Sequence, residues 1–257
     1  MTLTEVALPT IDTTPITISN SSQSSPLSLR AGQTLTLEGT GNLGDNFTAV
    51  DAVLNIDGGT VGNGLRAANS VVNISGGELG PEFAALFGTT VNISGGSIGD
   101  PNAEPFSDSA RFGIIGDLFI AANGSTINIS GGNIGNNFFA DVGSTVNFFG
   151  TSFFLDDIEV TGLAFDEAEL VAINGRLDRS RRFPFDGFST FSGILADGSE
   201  FEIDLLQLVN LRLGPDQPGF RSSNVTLTVV SPASVPEPGS TSLLVIGVFL
   251  LAARRRR

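Results

Sequence analysis

The stretch Val72-Asn73-Ile74-Ser75-Gly76-Gly77-Glu78-Leu79-Gly80 decides the fold, because most of the first 150 residues are imperfect copies of it. It recurs as Val91-Asn92-Ile93-Ser94-Gly95-Gly96-Ser97-Ile98-Gly99 and as Ile127-Asn128-Ile129-Ser130-Gly131-Gly132-Asn133-Ile134-Gly135. An earlier copy is Leu54-Asn55-Ile56-Asp57-Gly58-Gly59-Thr60-Val61-Gly62, and a decayed one is Val146-Asn147-Phe148-Phe149-Gly150. From asparagine to asparagine the steps are 18, 19, 36 and 19 residues, the 36 being about two periods. Looser copies lie at Leu35-Thr36-Leu37 and Ile16-Thr17-Ile18, each a further 19 residues back.

Self-similarity at a short fixed period marks a solenoid. Within a copy, apolar residues alternate with Asn, Ser or Thr, the pattern of a half-buried strand with Val72 and Ile74 inward and Asn73 and Ser75 outward. The glycine pair reads as the corner between two strands of one coil. Helical periodicity is absent from the repeats. The expected fold is all-β: a parallel β-helix of 18–19 residues per coil, with the lack of a strict hexapeptide favouring the right-handed form. Seven or eight coils stacked about 4.8 Å apart would make a rod roughly 35 Å long.

Composition narrows the chemistry. The chain has 257 residues, 32 Gly, 20 Phe, and neither Cys, His, Tyr, Trp nor Lys. Disulfides, thiolate chemistry and the usual zinc sites are excluded. Phe without Tyr or Trp suggests aromatic bulk used for core filling rather than binding. Net charge is −14; omitting residues 235–257 removes four Arg and one Glu, leaving 9 Arg against 26 acids, or −17. Such a body repels nucleic acid and anionic lipid.

The sequence divides into a repeat domain over 1–155, a β-rich cap over 156–232 and a tail over 233–257. Met1 to Thr14 has no Arg-led or apolar leader region, so a true start further upstream, with a signal peptide, is expected. Residues 99–116 read either as a loop inserted off one face or as one degenerate coil. In the cap, Phe191–Leu195 and Glu200–Leu205 flank Ala196-Asp197-Gly198-Ser199 as a β-hairpin, and Asn224–Val230 alternates as a further strand. These strands are expected to hide the exposed edge at the end of the solenoid.

The tail has three parts in order. Val235-Pro236-Glu237-Pro238 opens it, and the apolar run Leu243-Leu244-Val245-Ile246-Gly247-Val248-Phe249-Leu250-Leu251-Ala252-Ala253 follows. Arg254-Arg255-Arg256-Arg257 ends it. Eleven residues make a helix of about 16 Å, which enters a hydrocarbon core of about 30 Å but spans it poorly. The arginines should stay cytoplasmic, leaving the body outside. These residues resemble the PEP-CTERM sorting signal of Gram-negative bacteria. The resemblance implies recognition by an exosortase, transient residence in the inner membrane, cleavage near Pro236-Glu237-Pro238, and a final place at the cell surface or in the extracellular matrix. It also implies a link to exopolysaccharide.

Elsewhere each candidate site has a plainer alternative. The outward Asn55, Asn73, Asn92, Asn128 and Asn147 form either a carbohydrate-docking stripe or a ladder of amides bonded to one another. Asp100, Asp117, Asp141, Asp156 and Asp157 could hold calcium, but they are not periodic, and a solvated acidic surface is the simpler reading. Arg176, Arg179, Arg181 and Arg182 could grip an anionic polysaccharide, or pair with acids such as Asp178. No cofactor is expected, with calcium as the alternative. Without His, Cys, Lys or Tyr, an enzyme would have to rely on carboxylates, as a glycosidase or polysaccharide lyase does. Asp156 and Asp157, if they lay in a strand, would point to opposite faces and make no pair. The expected role is that of an exported structural or adhesion protein. A polysaccharide-active enzyme and an uncleaved membrane-anchored adhesin are the alternatives.

Overall fold

The computed structural model describes residues 11–98, 119–134, 138–141, 143–170, 189–205 and 224–230. Within them the protein is all-β, without a helix. In chain order the early strands are β1 (Ile16–Ile18), β2 (Ser28–Leu29), β3 (Thr34–Leu37), β4 (Asn42–Leu43), β5 (Thr48–Val50), β6 (Val53–Val61) and β7 (Arg66–Ala68). Next come β8 (Val71–Leu79), β9 (Phe83–Ala85), β10 (Thr90–Ile98), β11 (Phe119–Ala121), β12 (Thr126–Ile134), β13 (Phe138–Ala140) and β14 (Thr145–Leu155). The last are β15 (Ile158–Glu159), β16 (Ala168–Leu170), β17 (Ser189–Leu195), β18 (Glu200–Leu205) and β19 (Asn224–Val229).

The repeat dictates the pairing. One sheet runs β1-β3-β6-β8-β10-β12-β14, every neighbour parallel and each repeat laid residue on residue over the one before. A second sheet of six parallel strands runs β13-β11-β9-β7-β5-β2. The chain therefore passes from one sheet to the other once per repeat. Apolar positions of the motif point between the sheets: Val72 and Ile74 are essentially fully buried, as are Leu54, Ile56, Val91, Ile93, Ile127 and Ile129. Each such side chain stabilises the fold by about 1.5–3 kcal/mol relative to exposure. Phenylalanines fill the remaining space as a column. The Phe83 and Phe119 rings stack at 4.9 Å, and those of Phe119 and Phe138 at 4.7 Å.

The 36-residue step resolves into an insertion. β10 pairs directly with β12 and β9 with β11, so Asn92 lies beside Asn128 and Phe83 beside Phe119. No rung intervenes. Residues 99–118 themselves lie outside the described set.

The glycine pair does not separate two strands, as the motif suggested. It lies inside the nine-residue strands β6, β8, β10 and β12, where the ladder register slips and then resumes. The second glycine bends the strand: Gly77 has φ 81°, and a Cβ there would lie 2.8 Å from the Gly59 carbonyl oxygen and 2.9 Å from the Gly58 carbonyl carbon. In β14 the residue aligned with this glycine is Thr151, which does not adopt a positive φ. There the left-handed corner is missing, and β14 runs on to Leu155 over 11 residues, with a register shift at Thr151 in its pairing with β17.

A different set of strands takes over at that point. The Gly150–Leu155 part of β14 pairs antiparallel with β17, which forms a hairpin with β18. Its Thr145–Gly150 part receives β19 in parallel, so Val225-Thr226-Leu227 becomes one further rung beyond Val146-Asn147-Phe148. Phe148, Phe153, Phe191 and Phe201 pack together at this end, with ring centroids 5.1–6.4 Å apart. Asp156 and Asp157 are not in a strand. With φ of 51° and 62°, they form the two-residue turn between Leu155 and Ile158.

Replacing Gly77 by Ala forces a left-handed backbone on a residue with a Cβ and drives that atom into the preceding repeat. The expected loss is about 1–3 kcal/mol, read as a lower urea midpoint than wild type. The same change at Gly44, around which a Cβ would meet nothing within 4 Å, should cost far less.

Candidate functional site

The asparagines stand in one column. Asn73 Nδ2 donates to Asn55 Oδ1 at 2.9 Å, Asn92 to Asn73 at 2.8 Å, Asn128 to Asn92 at 2.7 Å and Asn147 to Asn128 at 2.7 Å. Every amide thus donates toward the N-terminal end and accepts from the C-terminal side. Threonines close both ends: Asn55 donates to Thr36 Oγ1 at 3.4 Å, and Thr226 Oγ1 donates to Asn147 Oδ1 at 2.6 Å. The column is half-buried, so each amide keeps one N–H and one lone pair for solvent. Of the two alternatives for this stripe, the structure contains the ladder.

A second polar column is internal. Ser70, Thr89, Ser125 and Ser144 are all at most 2 % exposed and donate to the backbone carbonyls of Ala68, Ala67, Ala122 and Asp141 at 2.7–2.9 Å. The sequence reading missed these residues. Their signal was present, since a Ser or Thr stands three residues before each asparagine of the later copies.

The hairpin turn between β17 and β18 docks on the last glycine corner. Asp197 N–H donates to the Ser130 carbonyl at 3.1 Å, Gly132 N–H donates to Asp197 Oδ2 at 3.0 Å, and Ser199 Oγ, which donates to Asp197 Oδ1 at 2.6 Å, lies 3.1 Å from the Gly132 carbonyl. Burial alone would raise the Asp197 carboxyl, but hydrogen bonds from the Ser199 hydroxyl and amide, and from the Gly132 amide, outweigh it. Together they hold the group below its ordinary 3.8. Ala196-Asp197-Gly198-Ser199 is thus a latch as well as a turn.

Beside this hairpin, Phe154, Ser192, Ile194, Glu200 and Glu202 border a concave space of about 370 Å3. The two glutamates are exposed and two apart on one strand, so their Cα atoms lie about 7 Å apart on one face. A glycosidase needs carboxylates on opposite sides of the bond it cleaves, and Glu200 and Glu202 stand on one side.

The remaining candidates are scattered. Asp141 precedes the buried Ser144. Asp156 Oδ1 accepts the Thr190 N–H at 3.0 Å, and Asp157 is beside it in the turn. Among the described residues no three acidic side chains come together as a cation site. Asp100, Asp117, Arg176, Arg179, Arg181 and Arg182 lie outside the described residues. So do the tail segments Val235–Pro238, Leu243–Leu251 and Arg254–Arg257. Among the described residues no helix is long and apolar enough to cross a membrane.

Residues 234–257 match the PEP-CTERM protein-sorting motif. The protein is therefore one that carries an export and sorting signal. The particular signal is the PEP-CTERM motif, which supports delivery to the cell surface or medium and processing by an exosortase-type partner. No curated protein matches the chain, and neither does any solved structure.

Two outcomes are expected. Asn92→Ala leaves Asn128 without its acceptor and Asn73 without its donor, and should cost about 1–3 kcal/mol. Thr226→Val, at the end of the column, should cost about 0.5–1.5 kcal/mol; urea melts of the two variants measure the difference. For the latch, the folded-state pKa of Asp197 is depressed, so its contribution is present above the unfolded value. That contribution disappears as pH falls from about 4 through the lower folded value. The urea midpoint of wild type should therefore drop over this window by more than that of Asp197→Asn, and equal drops would remove the latch from the acid response.

Proposed function

We propose that this chain is an exported structural or adhesion protein of the cell surface or extracellular matrix. Its body is a parallel β-helix closed by a β-rich cap. The observation that carries the reading is the PEP-CTERM match at 234–257, which follows directly on the last rung of the ladder. Val230 N–H still bonds the Gly150 carbonyl at 2.8 Å. Only five residues lie between it and Pro236, a reach of roughly 20 Å at full extension. An exosortase acting near Pro236-Glu237-Pro238 would therefore work within that distance of the folded body, and release would leave almost no linker behind.

Leu243–Leu251 enters the inner membrane of a Gram-negative-type cell, with Arg254–Arg257 on the cytoplasmic side, until cleavage frees the body. The body then acts by shape and polar surface beside exopolysaccharide, without catalysis and without a cofactor. Its side chains support that division of labour. The internal hydroxyls are spent on backbone carbonyls, each ladder amide is fixed by one donated and one accepted bond, and the two glutamates at the one concave face described above do not oppose each other.

The test is the intact mass of the protein from its native host, fractionated into membrane, surface and medium. A surface or released form ending near Pro236 is expected. Replacing Pro236, Glu237 and Pro238 together by Ala should hold the full-length 26.6 kDa chain in the inner membrane. Full-length wild-type chain confined to that membrane would make it an anchored adhesin, and full-length chain in the cytosol would remove the export reading.

A further inference from the structure

The rank of outward residues next to the asparagine column has no assigned role. Register places Thr34 beside Val53, Val53 beside Val71, Val71 beside Thr90, Thr90 beside Thr126 and Thr126 beside Thr145. Asn224 ends the rank beside Thr145. Each member sits two residues before its neighbour in the asparagine column, on the same face of the same strand. The face is therefore a two-dimensional array, stepping about 4.8 Å along the stack and about 7 Å along each strand.

Four properties of this array bear on what it could meet. It is uncharged in both ranks over seven successive strands, in a chain with 27 acidic residues. Its β-branched members, Thr and Val, are restricted at χ1. The hydroxyls of Thr34, Thr90, Thr126 and Thr145, all half-buried, make no hydrogen bond within the protein among the described residues, while Val71 is 37 % exposed. Finally, the amide column runs alongside the rank as a continuous side-chain ladder, a device that holds stacked strands in register.

A rigid, neutral, repeating array gains nothing special from a flexible partner, which would lose its own conformational freedom on binding. Neither rank contains an aromatic ring on which a sugar could stack. The matching partner is a solid lattice of neutral hydrogen-bonding groups, and two oxygen repeats of hexagonal ice lie close to the spacings of the array. We propose that the face formed by the Thr34-to-Thr145 rank and the asparagine column binds ice. Hydroxyls and free amide N–H groups hold ordered water on the lattice, and the methyl groups of Thr and Val fill the gaps between.

The test is partition of the full chain into slowly grown ice, with the same mild neutral detergent in every sample. Wild type should enrich in the ice. Thr126→Tyr and Thr90→Tyr, which raise a bulky ring from the plane at two separate rungs, should be rejected into the liquid like a non-binding control protein. Thr48→Tyr, on the outer side of the six-stranded sheet, should partition as wild type. Circular dichroism and urea midpoints establish that the variants are folded, and either rank variant is sufficient if the other is not. Rejection of wild type from ice would overturn the proposal, as would equal partition of wild type and a folded rank variant. Binding to cellulose powder, or dimerisation, that Thr126→Tyr abolishes while wild type stays out of ice would assign the face to a polysaccharide or to a second copy.

Discussion

Parallel in-register pairing is the constraint on which the rest of the structure depends. When strands from successive repeats align residue on residue, whatever stands at one motif position meets its own copy above and below. Apolar positions then form continuous buried columns, such as Leu54, Val72, Val91, Ile127 and Val146, each without measurable exposure. Asparagine is suited to such a column because its side chain both donates and accepts, so identical residues satisfy each other. A charged residue stacked on its copy would repel it. The two ranks of the ladder face are accordingly free of charge, and the 27 acids are placed elsewhere.

The same constraint explains how the repeat ends. A parallel stack has no intrinsic stop, and its last rung presents an unpaired edge. Here one substitution in the motif accompanies a change of path: with Thr151 in place of the second glycine, β14 makes no left-handed corner and runs on, through a register shift at Thr151, as an antiparallel partner for β17. The hairpin that results folds its Asp197 turn back over Gly131 and Gly132, occupying the place of the corner β14 failed to make. β19 then covers the remaining edge of β14, with Thr226 in the asparagine position. A hydroxyl suits the end of the column, because the next amide is missing and only one partner needs satisfying.

Much of this was legible in the sequence, for a physical reason. A repeat of 18–19 residues is written in the chain itself, and the alternation in Val72-Asn73-Ile74 states which side faces in. The 191–205 hairpin was legible from Asp-Gly and from the alternation of its second arm. What stayed hidden depended on contacts between distant parts of the chain. Val225-Thr226-Leu227 looks like any short strand, and nothing local shows that it joins β14, about 80 residues earlier, as a further rung. The buried hydroxyls Ser70, Thr89, Ser125 and Ser144 were hidden for another reason. The serines bond as turn chemistry predicts, to carbonyls two or three residues earlier, and only packing shows that these turns are buried and that Thr89 reaches Ala67 in the preceding repeat. For Asp156 and Asp157 the sequence leaves open whether they lie in a strand, and their left-handed backbone makes them the turn that ends β14. The sorting tail was legible by composition and order alone.

An internal economy of polar groups limits what the body can do chemically. The ladder amides point along the stack toward each other, the internal hydroxyls are bonded to carbonyls, and Asp197 is held by three donors at a structural joint. None of these is free to move a proton or to rearrange around a substrate. Conformational adaptability is low for the same reason, since each rung is fixed by the two beside it. The groups the stack leaves unspent on the ladder face are the second N–H and lone pair of each amide and the threonine and valine side chains flanking the column. Rigidity supplied by the asparagines and regularity supplied by the register thus come from one source, the repeat, and both are inherited by the surface it displays.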